Sequence, residues 1–224
     1  MGSNNEGTKF YVKDCALSGI AVGEHAANLK ELYDKLVTIH PGCIYHHFWG
    51  GRLRPHFEAR EYHNDFAMWA YAHLHDQTLA ERLSLLDPTD FEDIENLRKA
   101  VLDIIETHLD ETEGSWLPRA EHFQFVRSKI IIFDTPYIVS TPEELIQNFP
   151  HLTLSSIFYH FIDAYRRTPT HQDDFSAWLK TFPENYDVLI EHILAIDFYF
   201  ISLEELKNTL YSLLTNYFMQ SEKK

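Results

Sequence analysis

The sequence repeats itself, and that limits what it can fold into more than any other feature. Displaced by 113 positions, Ile44-Tyr45-His46-His47-Phe48 falls on Ile157-Phe158-Tyr159-His160-Phe161, Glu31-Leu32 on Glu144-Leu145, and Phe10 on Phe123. After a four-residue shortening the displacement becomes 109, and Asp65-Phe66-Ala67-Met68-Trp69 falls on Asp174-Phe175-Ser176-Ala177-Trp178. Farther on, Ile94, Leu97, Val101, Ile104, Ile105 and Leu109 match Leu203, Leu206, Leu210, Leu213, Leu214 and Phe218. Apolar residues three and four apart make one face of a helix, so the repeated pattern predicts the same long amphipathic helix at the end of each copy.

Helix starts recur with it. Asn28-x-x-Glu31 and Thr141-Pro142-Glu143-Glu144 are capping boxes at equivalent places, with Pro142 at the first helical position, where its missing N–H costs nothing. Asn64 and Asp173 precede the two Asp-Phe-x-x-Trp segments as N-caps, and Thr89-x-x-Glu92 and Ser202-x-x-Glu205 read as the openings of the last helices. Ahead of each helical run lies a segment of strand-like composition, Phe10 to Val22 and Phe123 to Val139, the second ending after a Thr135-Pro136 turn signal.

The expected fold is therefore mainly α, with pseudo-two-fold duplicated helical units of about five helices, each preceded by a short extended or β segment. Residues 1–9 read as a disordered leader, 10–112 as the first unit, 113–122 as a linker and 123–220 as the second, the two units packed as one domain.

Charge and cysteine content bound the partners. A formal charge of −15 repels phosphate backbones and anionic bilayers, which excludes a nucleic-acid polymer or a membrane surface as the expected partner. The longest apolar run in its neighbourhood, Ile130-Ile131-Ile132-Phe133, is far too short to span a bilayer. Cys15 and Cys43 are too few for a disulfide framework and read as reduced thiols of a cytoplasmic protein.

Two constellations carry chemistry. His47 and Arg54 lie seven residues apart, as do His160 and Arg167, so each pair shares one face of a continuous helix; Arg52 and Arg166 add second guanidinia. Paired guanidinia suit a phosphate or carboxylate, and a shared cleft would suit a small anionic ligand such as a nucleotide or sugar phosphate. The same residues admit a structural reading, with Arg54 and Arg167 paired to Asp65 and Asp174, and both histidines buried, neutral and bonded to backbone. The second constellation is the His-rich first copy: His40, His46, His47, His56, His63, His73 and His75, with Glu58 and Glu61 among them. Imidazole and carboxylate suit zinc or non-haem iron, although no His-Glu-x-x-His spacing occurs and most of these histidines lack a counterpart in the second copy. Gly50-Gly51 reads as a helix break before Pro55, and Trp69 and Trp178 read as core staples with Phe66 and Phe175 rather than an aromatic cage.

Asn64-Asp65-Phe66-Ala67-Met68-Trp69, Leu79-Ala80-Glu81-Arg82-Leu83, Leu86-Asp87-Pro88 and Ser156-Ile157-Phe158-Tyr159-His160-Phe161 resemble an uncharacterised prokaryotic family, a domain of unknown function, over nearly the whole chain. The resemblance implies a prokaryotic cytoplasmic origin and no particular reaction or cofactor. The expectation drawn from these residues is a non-catalytic helical protein that binds a small anionic ligand through His47, Arg52, Arg54, His160, Arg166 and Arg167, or binds a protein partner, with a homodimer among the possibilities. The alternatives are a metal-dependent hydrolase built on the His-rich copy, and a pure interaction module with an exposed apolar patch.

Overall fold

The computed structural model describes residues 9–53, 61–112, 121–168 and 170–221. It is mainly helical, with one sheet of two antiparallel strands, β1 (Phe10–Ala26) and β2 (Phe123–Val139). β1 runs four residues past the expected Val22, through Gly23, whose φ of 78° suits a residue without Cβ. Among the described residues no helix is long and apolar enough to cross a membrane.

The chain divides into two compact units, and both divisions fall inside strands. Unit A comprises residues 17–130 and unit B residues 1–16 and 131–224. Residues 10–16 of β1 thus belong with the helices that follow β2, and residues 123–130 of β2 with those that follow β1.

Unit A holds α1 (Leu29–Thr38), α2 (Pro41–Trp49), α3 (Asp65–Trp69), α4 (Gln77–Ser84) and α5 (Ile94–Glu111). The Asn28 side chain accepts the Glu31 N–H at 2.9 Å and Glu31 accepts the Ala27 N–H at 2.9 Å, so two orphan amides at the start of α1 are satisfied. Asn64 caps α3 and Asp76 caps α4 through the N–H groups of Ala67 and Leu79. The opening expected at Thr89 is corrected: Thr89 sits in a 3-10 turn (Pro88–Asp90), and α5 starts at Ile94, where the Asp93 carboxylate accepts the Asn96 N–H at 2.8 Å. A charged acceptor in register with N3 takes the start. Leu97, Val101 and Ile105 of α5 are buried, as are Leu29, Leu32 and Leu36 of α1, which packs against it. Each such leucine withdrawn from water is worth about 1.5–3 kcal/mol.

Unit B holds α6 (Pro142–Asn148), α7 (Leu154–Ile157), α8 (Ala164–Arg167), α9 (Asp174–Leu179), α10 (Asp187–Leu194) and α11 (Leu203–Ser221). α7 passes into α8 through a π-type turn, Phe158–Asp163. Ser202 and Glu205 cap α11 reciprocally, and at α6 Thr141 accepts the Glu144 N–H while Glu144 accepts the Ser140 N–H. The expected apolar face of α11 is buried at Leu203, Leu206, Leu210 and Leu214.

Candidate functional site

In unit A, the side chain of His40 accepts the Gly42 N–H at 2.9 Å and starts α2, which ends at Trp49, just before Gly50-Gly51. Gly50 is needed for close approach, because a Cβ there would meet the His46 ring at 2.9 Å and the His46 carbonyl at 2.6 Å. α2 carries His47 into the core. Its Nδ1 lies 3.0 Å from Asp65 Oδ2 at the start of α3, and its Nε2 accepts the Val126 N–H of β2 at 3.2 Å. A backbone N–H only donates, so Nε2 is bare, Nδ1 carries the proton, and the ring is the neutral Nδ1–H tautomer.

Unit B repeats this geometry. His160 Nδ1 lies 2.6 Å from Asp174 Oδ2 at the start of α9, and Nε2 accepts the Lys13 N–H of β1 at 2.8 Å. Burial holds the His160 pKa below the usual histidine range against the opposing pull of Asp174. Each imidazole is thus a strut between the first residue of a helix and the backbone of a strand. Aromatic rings close around both struts. Phe123 packs on His47, Phe66 and Trp69 at 4.6, 5.1 and 5.7 Å, and Phe10 on His160, Phe175 and Trp178 at 4.8, 5.4 and 5.4 Å. Trp69 and Trp178 sit 5% exposed in these clusters.

The guanidinia of unit B are engaged by carboxylates. Arg167 pairs with Asp174, donates to the Tyr159 carbonyl at 3.3 Å and lies over the Tyr159 ring at 4.1 Å. Arg166 donates through Nε and Nη2 to Asp163 Oδ1 at 3.0 and 2.8 Å, and Arg167 Nε lies 3.6 Å from Asp163 Oδ2. Two guanidinia therefore face two carboxylates, leaving no net positive charge to attract an anion. In unit A the Arg52 guanidinium lies 5.7 Å from the Trp49 ring, while Arg54, and with it any Arg54–Asp65 pair, falls outside the described residues. Asp163 was not singled out from the sequence, although its place three and four residues before Arg166 and Arg167 is a recognisable ion-pair spacing.

His46, His47 and Asp65 are the group whose donor atoms converge, all within 4.8 Å of one another among the described residues. The fit to a cation fails at His47. A metal on Nδ1 would leave Nε2 as the N–H, pointing at the Val126 N–H, whereas a metal-bound imidazole needs an acceptor there. His46 Nδ1 lies 2.7 Å from Ser128 Oγ. His56 and Glu58 fall outside the described residues, and His73 lies 3.5 Å from Glu121. Another pair, unforeseen from sequence, joins the buried His108 through Nε2 to the half-buried Asp76 Oδ2 at 2.6 Å.

All but the first residue of the apolar run noted in the sequence lies on the β2 portion of unit B. Ile131, Ile132 and Phe133 are 44%, 48% and 49% exposed, with Ile138 and Tyr11 also exposed. Phe10, Val12 and Cys15 of β1 are buried, Thr135 Oγ1 donates to the Val12 carbonyl at 2.7 Å, and Lys13 pairs with Asp134. Among the described residues the sheet has two strands, and the other side of β2 has no neighbouring strand there. Cys15 and Cys43 are buried free thiols, and burial pushes Cys15 up to about 12, which removes it as a nucleophile.

No curated protein matches the chain. Its fold is similar to that in "The structure of OrfY from Thermoproteus tenax", with a TM-score of 0.80 at 23% identity, covering 95% of this chain and 97% of that one. Residues 7–215 match the model of a family of unknown function, DUF5752, and the chain belongs to that family.

Proposed function

We propose that this is a non-catalytic, cytoplasmic helical protein, derived by tandem duplication, that binds a protein partner along β2 at residues 131–138. The observation that carries the reading is the consecutive exposure of Ile131, Ile132 and Phe133 on a strand whose second edge is open among the described residues. An open edge presents unpaired N–H and C=O groups, and three adjacent exposed apolar side chains beside it are a liability unless something covers them. The occupant is an extended segment of another chain, adding as a strand and carrying apolar and basic residues. Basic character follows from the charge of −15, which also opposes pairing with a second copy. The duplication is supported by the two struts, each using the histidine, the aspartate and the aromatic residues at matching places in the copies. The anionic-ligand reading has less support, since both imidazoles are committed to backbone and carboxylate and the unit B guanidinia are neutralised.

Capture of partners from the source cell by the wild-type protein and by Ile132→Lys and Phe133→Lys tests the proposal. A partner retained by wild type and lost from both variants supports it; one retained equally by all three overturns it. A dimer in native mass spectrometry that Ile132→Lys dissolves would replace the foreign partner by a second copy. A co-purifying mass of a few hundred daltons, with no partner protein, would return the anionic-ligand reading.

A further inference from the structure

Asp173 caps α9 from complete burial. Its Oδ1 accepts the Ser176 N–H at 2.8 Å, and its Oδ2 has no hydrogen-bond partner among the described residues. The corresponding cap in unit A is the equally buried Asn64, which accepts the Ala67 N–H at 2.8 Å and donates from Nδ2 to the Leu83 carbonyl at 3.0 Å. The amide satisfies both its ends, whereas a carboxylate at the same place keeps one oxygen without a donor and a charge without solvent. Taking up a proton removes that charge.

From this geometry we propose that Asp173 is held as a neutral carboxylic acid, and that its ionisation loosens the start of α9 and with it the Asp174–His160–Lys13 strut, giving unit B a pH-sensitive latch that unit A lacks.

The surroundings agree. Burial pushes Asp173 up to about 6 from 3.8, and Asp174 adds to the rise against the lowering contacts from Ser176. The charged or titratable residues of the elements packed on α9 are Tyr159, His160 and Asp163 of the π-type turn and Asp187, Glu191 and His192 of α10. Tyr165 of α8 feels the Asp173 charge, and Lys180 is held by Gln172 Oε1 at 3.0 Å. Because the folded-state pKa is raised, the stability tied to the neutral acid is complete below 3.8 and is lost as pH rises through about 6. A rise of about two units corresponds to roughly a hundredfold change in the folding equilibrium.

The test is carried out on the full chain. Carboxyl-carbon NMR on the wild type is expected to show Asp173 titrating near 6, and an inflection at or below 4 overturns the proposal. Hydrogen exchange, corrected for intrinsic rates, then compares the Lys13 and Val126 amides, which are bonded to His160 and His47. Between pH 5 and 7.5, Lys13 protection is expected to fall relative to Val126 by up to about tenfold in the wild type, and to hold steady in Asp173→Asn. Parallel behaviour of the two amides in the wild type overturns the latch.

Discussion

The His160 imidazole accepts the backbone N–H of Lys13 at 2.8 Å, joining residues 147 positions apart in sequence. The bond fixes the tautomer of the ring, and through Nδ1 it ties β1 to the first residue of α9. Replacing His160 with Phe keeps the ring but strands the Lys13 N–H and leaves the partly buried Asp174 carboxylate to Arg167 alone. We expect a loss of about 2–4 kcal/mol in urea unfolding, and a similar loss for His47→Phe. A change under about 0.5 kcal/mol in both would show that the struts carry no stability.

Acid should weaken the same strut. The folded-state pKa of His160 is lowered below 6.5, so the stability tied to the neutral ring is full above 6.5 and is lost as pH falls through the lowered value. Subtracting the pH–stability curve of His160→Asn from that of the wild type isolates this loss. A difference curve that rises toward acid would contradict the assigned protonation state. The slope is opposite to that of Asp173, so where both groups titrate their contributions to the stability of unit B offset each other.

Phe10 and Phe123 are 7% and 4% exposed and each touches a histidine, a phenylalanine and a tryptophan. Phe10→Ala and Phe123→Ala should each cost about 3–5 kcal/mol in chemical denaturation, the range for emptying a ring-sized site. If either cost is below about 1 kcal/mol, that ring is not part of the core.

Arg166 and Arg167 should separate in their effects. Arg166 is half exposed and its pair is a surface one, so Arg166→Ala should change stability by about 0–1 kcal/mol. Arg167 is more covered and contacts Asp163, Asp174 and the Tyr159 ring. Its replacement by Ala should cost about 1–3 kcal/mol by thermal or urea unfolding. Equal effects would argue against the carboxylate pairing described for Arg167.

Features held by short-range bonds were legible in the sequence. The caps at Asn28, Thr141 and Ser202 lie three residues from the amides they satisfy, so composition and spacing reveal them. Thr89 misled because Asp93, four residues on, offers a stronger acceptor in register with Asn96. The conserved geometry around His47 and His160 was half readable. The continuous helix expected through His47 and Arg54 stops at Trp49, and that through His160 and Arg167 contains a π-type turn, while the strand N–H groups that complete the two histidines lie 79 and 147 residues away and leave no mark in side-chain identity. Reading Arg167 toward a ligand overlooked Asp163, which sits inside the same helical path and carries the opposing charge. The membership of residues 10–16 and 123–130 in units otherwise built from distant sequence is likewise a property of backbone pairing, which no cap or period encodes.

That membership bears on how the protein is made. On the ribosome, residues 10–16 emerge long before Phe175 and Trp178, the rings that enclose Phe10. At ordinary elongation rates of about 5–20 residues per second the gap is on the order of ten seconds. Until then Phe10 lacks the rings that enclose it, and β1 has only the earlier-made residues of β2 and His160 to settle on, so a nascent chain presents an apolar strand that chaperones can hold. Unit A can close as soon as residue 130 is synthesised, whereas unit B must wait for its last helices and then recover its oldest segment.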